Sequence, residues 1–389
     1  MVVPNCLFFM DNHTQTLVYA LLQLMPSVHQ QASLTCLLAL FLTAQCSQPS
    51  DSKTKSESAL SRFLNRYGWP TKKVVGTTRS KIKQFVNNVM QSRRGRRPIL
   101  YAVVDLTCLE KTGKYKDLAE LVRVYNGKRG VHVALLYLCI GPWRLPWSFR
   151  VYRGKDTPTP TQLALQLLRQ IPVEWRETFK IRVLADAGFS STELITGAEK
   201  LGFEVLMSIC CDRRLQDQRA VNQVRMRGER VMLVDLHRPV SLSWFWRKHK
   251  DTGEREQHFV VATEALSGAY MIRLGKLRWR IEACFKTLKH RFGWAKFGQG
   301  EKLGVYRWWV LCLISFWLVH CQFLSSGEST LDWRKAAQQA RKLLFPDEVF
   351  AEFLVDVEEM REVASQLGWA ITIIPLQRVE GTEDQPAAA

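Results

Sequence analysis

Residues 99–106 read ILYAVVDL, an apolar and β-branched run in which an aspartate stands near the end. Two similar runs follow, VHVALLYLCI at 131–140 and WSFRVYRG at 147–154, and charged or glycine-containing segments separate the three. Runs of this composition, bounded in this way, are typical of β-strands. The sequence therefore predicts three sequential strands.

After these strands the pattern begins to alternate. TQLALQLLRQI at 161–171 predicts a helix, and KIRVLAD at 180–186 predicts a strand. A second helix is predicted over 190–201, and FEVLMSIC at 203–210 predicts another strand. Three strands followed by alternating helix and strand indicate an α/β domain with a mixed sheet.

Two acidic residues stand where strands are expected to end. Asp105 closes the run VVD, and Asp186 closes VLAD. Ligands of α/β sheets gather at the carboxyl ends of strands, so both are candidate site residues. Taken alone, either one is better explained as an ordinary cap or surface carboxylate.

A third acidic residue lies on a helix that the pattern RLGKLRWRIEACFKTLKHRF predicts from about residue 272 to 292. At about 100° per residue, Arg278, Glu282 and Lys289 point within about 40° of one another, beside an apolar arc. Arg before Glu at i,i+4 is the weaker orientation for an ion pair, so helix stabilisation explains the arrangement poorly. The helix is expected to present one carboxylate and two cations at the edge of the core.

These three carboxylates can converge, because strand ends and a packed helix meet at one rim of a sheet. Clustered carboxylates repel one another, and cations relieve the repulsion. Oxygen ligands without His or Cys favour Mg²⁺ or Mn²⁺. Two such ions about 4 Å apart would activate a water or a 3′-hydroxyl and stabilise the leaving oxygen of a phosphodiester. Nuclease or strand-transfer chemistry is the corresponding hypothesis.

The charge of the chain favours a nucleic-acid partner. The 389 residues include 55 Lys and Arg against 36 Asp and Glu, a formal net charge of +19, with 47% apolar residues, which excludes a disordered chain. Residues 347–389 carry a net −8, so the preceding 346 residues carry +27. A surface that positive predicts a polyanionic partner, nucleic acid before membrane, with simple solubility as the alternative.

The basic charge is concentrated after a helical N-terminal segment. Residues 14–46 and the amphipathic stretch SESALSRFLNRYGW at 56–69 predict helices. Residues 72–97 then hold nine Lys and Arg and no acid. This predicts a DNA-backbone-binding module, because each neutralised phosphate releases counterions. A solvated linker is the alternative. The candidate phosphate contacts are Arg93, Arg94, Arg96 and Arg97.

Two further features bear on the compartment. The ten cysteines show no C-x-x-C and no His pair at zinc-finger spacing, which predicts buried free thiols in a cytoplasmic protein. The first residues lack the pattern of a signal peptide. WWVLCLISFWLVHCQFL at 308–324 is marginal in length for a membrane span and contains a histidine and a glutamine, so a buried core helix is the prediction, and no membrane is expected.

The motifs together resemble those of the bacterial insertion-sequence DDE transposases, in the branch of the Tn-five and Tn-ten elements. VVDLTCLE holds the first Asp, VLADAGFSS followed by EKLGF holds the second, and LRWRIEACFKTLK matches the signature Y-x2-R-x3-E-x6-K at Arg278, Glu282 and Lys289. Three ordered motifs in the right contexts are far more specific than any one of them. The departure is at the signature Tyr, where this sequence has Gly275, which has no hydroxyl to bind a phosphate.

The resemblance implies a ribonuclease H-like catalytic core with a β-rich insertion. It implies three regions: a helical, basic DNA-binding region at 1–98, the catalytic domain at 99–325 with the insertion at about 211–262, and a helical region at 326–389. A helix over residues 215–228 remains an alternative inside the insertion. By position, Asp105, Asp186 and Glu282 are the implied catalytic and metal-binding triad.

The resemblance also implies DNA contacts and a biological role. Arg278 and Lys289 would contact phosphates of the transposon end, and Trp244 or Trp246 of the insertion would stack on an extruded base, unless the strand buries them. The expected function is metal-dependent cut-and-paste transposition of an insertion sequence. Its expected partners are double-stranded DNA, both terminal inverted repeats and target, and a second copy of the chain, in the bacterial cytoplasm at the nucleoid. A catalytically inactive, DNA-binding relative is the alternative.

Overall fold

A computed structural model describes residues 4–91, 95–111, 118–248 and 253–374. The N-terminal part is helical: α1 (Pro4–Leu22), α2 (Val28–Phe41), α3 (Glu57–Asn65) and α4 (Thr71–Gln91). Serines begin two of these helices, because the side chains of Ser27 and Ser56 accept hydrogen bonds from the backbone N–H groups of Gln30 and Ala59. The apolar face of α3 is fully buried, as its amphipathic sequence pattern predicts.

The centre of the chain is a sheet built in the predicted order. Its first six strands are β1 (Ile99–Glu110), β2 (Arg123–Tyr125), β3 (Lys128–Ile140), β4 (Trp143–Tyr152), β5 (Lys180–Ala185) and β6 (Glu204–Ile209). β1 pairs antiparallel with β3, and β3 pairs antiparallel with β4. On its other side β1 pairs parallel with β5, which pairs parallel with β6. This mixed sheet is the ribonuclease H-like core, and it confirms the predicted fold class.

The predicted β-rich insertion continues this sheet. Its strands are β7 (Glu229–Val231), β8 (Val240–Lys248) and β9 (Arg255–Ala262). β9 pairs antiparallel with β6, with Phe259 opposite Ile209, and then with β8, so all nine described strands belong to one sheet. Within 215–228 the described backbone holds a three-residue 3₁₀ turn at Val221–Gln223, and no α-helix forms there.

Helices cover the sheet and complete the core. They are α5 (Pro160–Leu168), α6 (Val173–Thr178), α7 (Thr192–Lys200), α8 (Gly268–Arg278), α9 (Arg280–His290) and α10 (Lys302–Ser326), followed by α11 (Trp333–Leu344) and α12 (Pro346–Gln366). The C-terminal helices are tied back to the N-terminal ones. Arg341 of α11 forms an ion pair with Glu352 of α12 and donates to the backbone carbonyl of Ala39, 3.1 Å away.

The predicted helix over 272–292 is broken at Trp279, so the prediction of one continuous helix was wrong. Trp279 has ψ near −7° and separates α8 from α9. The Glu282 N–H bonds to the Trp279 carbonyl at 3.1 Å, which tightens the chain to an i,i+3 turn. The guanidinium of Arg247 lies 4.3 Å from the centre of the Trp279 ring and holds this residue against β8.

α10 is the one described helix that is long and apolar enough to span a membrane. Its large side chains are buried inside the fold, and Trp308, Trp309 and Trp317 are each 1% exposed. The structure therefore places this helix in the protein core, as the sequence predicts. The nine cysteines whose side chains the structure describes are all free. Cys210 and Cys211 are exposed, and Cys46 and Cys108 are half-buried, so the prediction of burial was wrong for these four.

A buried arginine anchors the N-terminal helices to this core helix. Arg307 of α10 is 2% exposed and donates to the Thr71 hydroxyl at 2.9 Å. It also donates to the backbone carbonyls of Leu64 at 2.9 Å and Trp69 at 3.1 Å. Its guanidinium lies 4.2 Å from the centre of the Trp69 ring. One side chain thus satisfies acceptors at the end of α3 and at the start of α4.

We expect Arg307→Ala to lower the free energy of unfolding by about 2–3 kcal/mol, because buried carbonyls lose their donor and a cavity forms. Urea unfolding followed by circular dichroism measures this change. Arg334→Ala, at an exposed position of α11, is the matched control and should change the midpoint little. Equal midpoints for the two variants would contradict an anchoring role.

Candidate active site

Asp105 and Asp186 lie side by side on neighbouring strands. Val104 of β1 pairs in parallel with Ala185 of β5, and each aspartate is the next residue. β5 ends there, and Asp186 caps the following 3₁₀ turn by accepting the Gly188 N–H at 3.0 Å. β1 instead continues to Glu110, because β3 keeps pairing with it, so the prediction that Asp105 ends its strand was wrong.

The Asp105 carboxyl is almost fully buried, and nearby charged groups shift its pKa. Burial raises the pKa of Asp105 to about 7, and the charge of Asp186 adds to the rise. Arg278 and the N–H of Leu106, 2.7 Å from the carboxylate, oppose this rise, whereas Glu282 contributes to it. All three predicted acidic residues therefore interact electrostatically.

Arg278 joins two of these carboxylates. Its guanidinium donates to Asp105 at 3.3 Å through Nη1 and to Glu282 at 3.2 Å through Nη2. The Arg278 side chain is 12% exposed, whereas that of Glu282 is 55% exposed. Glu282 is thus held at the rim of the site by a cation, and Arg278 contacts carboxylates at the place where the sequence predicted a phosphate.

The carboxylates offer a partial metal site. Asp105 and Asp186 are adjacent hard oxygen donors of the kind that Mg²⁺ and Mn²⁺ prefer, and their mutual repulsion favours a cation between them. Across the described ranges, no group of three or more His, Cys, Asp or Glu side chains is placed to hold a metal ion together. The chemistry of the pair fits a divalent ion, and Arg278 holds Glu282 next to Asp105.

A cavity of about 270 Å³ opens beside the two aspartates. Asp105, Asp186 and Lys289 line it, together with Lys128 and His132. The Lys289 ammonium donates to the Cys108 carbonyl at 2.8 Å, and its pKa is lowered, mainly by burial and in smaller part by Lys128. Two carboxylates and two lysines around one opening can hold a phosphodiester and the cations that act on it.

A hairpin that forms part of this cavity wall was not predicted from the sequence. β2 and β3 form a hairpin whose two loop residues, Asn126 and Gly127, have φ of 48° and 73°. This geometry is typical of a type I′ turn, for which the dipeptide Asn-Gly is the strongest sequence signal. The turn places Tyr125, Asn126 and Lys128 along the cavity. The signal was present, but the hairpin was not predicted.

The residues predicted to contact DNA differ in their exposure and in the contacts that they make. Trp246 on β8 is 56% exposed, whereas Trp244 is partly buried, with its ring 6.4 Å from that of Phe259 and the Arg227 guanidinium 5.6 Å from its centre. Arg96 is exposed. Arg97 donates to the Phe179 carbonyl at 2.7 Å. Arg93 and Arg94 lie outside the described residues.

The position of the signature Tyr is buried. A Cβ atom at Gly275 would lie 3.6 Å from the Phe245 ring and 3.7 Å from Val260, so the position faces β8 and β9. Tyr270 does not replace the missing hydroxyl at the site, since its oxygen accepts a hydrogen bond from Arg182 at 3.0 Å. The candidate site therefore lacks the tyrosine of the signature.

Comparison with known proteins identifies the family of the chain. A family model described as the transposase DDE domain matches residues 102–318. This is more than half of the chain, and it includes Asp105, Asp186 and Glu282. The chain belongs to the DDE-domain transposase family, whose members generally use divalent metal ions.

The chain is also similar to a solved structure, described as a cryo-EM structure of a piggyBac transposase synaptic complex with hairpin DNA. The TM-score is 0.48 at 12% sequence identity, and the match covers 99% of this chain and 87% of that chain. No curated protein matches the chain in sequence.

Proposed function

We propose that this transposase catalyses metal-dependent cut-and-paste transposition of an insertion sequence, with Asp105, Asp186 and Glu282 as its catalytic and metal-binding residues. The observation that carries the proposal is the pair of aspartates on adjacent parallel strands, beside a cavity that two lysines also line. In this arrangement end cleavage and strand transfer use one site, because both are in-line substitutions at a phosphodiester.

The side chains of the chain have separate tasks in this proposal. Asp105 and Asp186, with Glu282, would hold the divalent cations, two Mg²⁺ or Mn²⁺ ions, which would supply positive charge to the attacking and leaving oxygens. Lys289 and Lys128 orient the scissile phosphate from the other side of the cavity. Arg278 keeps Glu282 near Asp105 in the DNA-free protein, and a DNA phosphate is a natural replacement partner for its guanidinium.

The proposed substrate is double-stranded DNA, as terminal inverted repeats and later as target. Arg96 and Arg97, with the basic stretch that includes Arg93 and Arg94, contribute phosphate contacts. Trp246 offers an exposed ring for a base, and Trp244 lies on the same strand. Synapsis of two ends requires a second copy of the chain, so the DNA complex is proposed to be a homodimer, acting in the bacterial cytoplasm at the nucleoid.

A catalytically inactive, DNA-binding relative remains the second candidate. Gly275 at the tyrosine position of the signature is the observation that favours it, because a phosphate-binding hydroxyl is lost.

A nicking assay separates the two candidates. The purified chain is incubated with a supercoiled plasmid that carries the DNA flanking its reading frame on both sides, in Mg²⁺, in Mn²⁺ or in EDTA. We expect nicked and linear plasmid in either metal and intact plasmid in EDTA. Retarded plasmid in a gel-shift assay, with no cleavage in either metal, would contradict the enzyme and leave the DNA-binding relative.

A further inference from the structure

A second cavity, of about 200 Å³, lies on the other side of α9 from the candidate active site. Arg280, Cys284 and Thr287 of α9 form one wall. The opposite wall is the sheet, where Tyr137 of β3 pairs with Val103, two residues before Asp105. Tyr137 and Asp105 therefore belong to the same sheet face, about 7 Å apart along the strand direction. We refer to this opening as the Arg144–Arg280 cavity.

Two arginines give this cavity an unbalanced positive charge. Arg144 and Arg280 both line it, and neither forms an ion pair with a carboxylate anywhere in the described ranges. Arg144 donates to the backbone carbonyls of Gly141 at 2.7 Å and Trp143 at 2.8 Å. Burial lowers the pKa of Arg144, and the nearby charge of Arg280 lowers it further. Two neighbouring cations without an acidic partner favour an anionic ligand.

A buried histidine also lines the same cavity. His320 of α10 is 3% exposed, and its Nε2 accepts the backbone N–H of Arg144 at 3.1 Å. The other ring nitrogen, Nδ1, is fully enclosed and has no hydrogen-bond partner in the described structure. Burial lowers the pKa of His320 to about 3 and Arg144 lowers it further, although the Pro142 carbonyl opposes them, so the ring stays neutral. The ring therefore fixes the backbone of Arg144 beside the cavity.

Three aromatic side chains also line the cavity. Tyr137, Phe316 and Trp333 border the opening, and the Trp333 ring lies 4.7 Å from that of Phe316. Trp333 is half-buried, so part of its ring remains accessible. A simple inorganic anion would use the arginines but not this aromatic wall. A ligand with both a phosphate and a flat ring uses both.

We propose that the Arg144–Arg280 cavity binds a nucleotide, with its phosphate on the two guanidinium groups and its base against Trp333. The nucleotide is either free or part of a DNA strand, since the recognition chemistry is the same. The site faces away from Glu282, because Arg280 and Glu282 are two residues and therefore about 200° apart on α9. This inference is independent of the proposed catalytic function.

Calorimetric titration with deoxyadenosine monophosphate tests the free-nucleotide form. Arg280→Gln is the main variant, because this residue is exposed at the cavity rim, where its guanidinium also contacts the buried Cys139. Lys286→Gln makes the same charge change at an exposed position of the same helix, outside the cavity lining, and is the matched control. We expect about tenfold weaker binding for Arg280→Gln and unchanged binding for Lys286→Gln. Deoxyadenosine, which lacks the phosphate, should bind about tenfold more weakly than the monophosphate.

A single-stranded trinucleotide provides the second arm. Weakening by Arg280→Gln but not by Lys286→Gln, seen with the trinucleotide and not with the mononucleotide, would support a nucleotide within a strand. The same weakening with the mononucleotide would support a free nucleotide. Equal affinities of the two variants for both probes would overturn the proposal. The titrations contain no metal and measure no cleavage, so their outcome does not depend on the active site.

Discussion

Asp105→Asn is expected to reduce metal-dependent DNA nicking at least about a thousandfold, which corresponds to about 4 kcal/mol of transition-state stabilisation. The amide has nearly the shape of the carboxylate but carries no negative charge, so the site loses one of its two adjacent hard ligands. Asp105 is buried beside Asp186, and no other described carboxylate lines the cavity that the two share. Initial nicking rates in Mg²⁺ measure the change.

Two controls make this result specific. Asp212→Asn makes the same chemical change at an exposed position that does not line the cavity, and it should nick at the wild-type rate. A gel-shift assay should show that Asp105→Asn still binds DNA, because phosphate contacts of the basic surface are unchanged. Nicking by Asp105→Asn within about tenfold of the wild type would remove Asp105 from the chemistry.

The proximity of the two aspartates could be predicted from the sequence. Strand periodicity places residues on a sheet, and parallel strands end at the same edge, so Asp105 and Asp186 could be brought together without knowing any distance. The assignment of Asp105 to a strand end failed, because the length of β1 depends on its pairing with β3. Such pairing is a long-range property that a local pattern does not contain.

The contacts of Arg278 were harder to predict from the sequence. A continuous helix predicts that Arg278 and Glu282 share a face, and they do form an ion pair. The helix breaks at Trp279, α8 packs mainly against β6, β8 and β9, and α9 packs against β1. Arg278, at the end of α8, contacts Asp105 of β1. Periodicity along one segment carries no information about such contacts. The role of Glu282 as a third metal ligand therefore remains a prediction.

The insertion also shows that local sequence patterns predict strands but not how the strands pair. Its strands could be recognised, because LSWFWRK and HFVVAT are rich in aromatic and β-branched residues. Their place in the sheet could not, since β9 joins β6 through pairs such as Phe259 with Ile209, 50 positions apart. The result is that Trp246 lies on a strand of the main sheet, not on a separate module.

Asp105→Asn is also expected to stabilise the metal-free protein at alkaline pH, by about 4 kcal/mol at pH 8. The pKa of Asp105 is about 7 in the folded chain against an ordinary value of 3.8, so the folded state binds this proton more tightly than the unfolded state. The contribution of the group to the free energy of unfolding therefore falls as pH rises from about 4 to 7, and it stays low above that range. Asn does not ionise and avoids this loss, which is 1.36 kcal/mol for each pKa unit.

Urea unfolding in EDTA at pH 8 and at pH 5 measures this effect. The stabilisation at pH 5 should be less than half of that at pH 8, because Asp105 of the wild type is then mostly protonated in the folded state. Asp212→Asn should give no pH-dependent gain. A gain of the same size at both pH values would mean that the amide stabilises the site by contacts and not by removing a charge. The expected result would mean that the side chain proposed to be essential for cleavage also lowers the free energy of unfolding. Such a conflict between activity and stability is common at active sites.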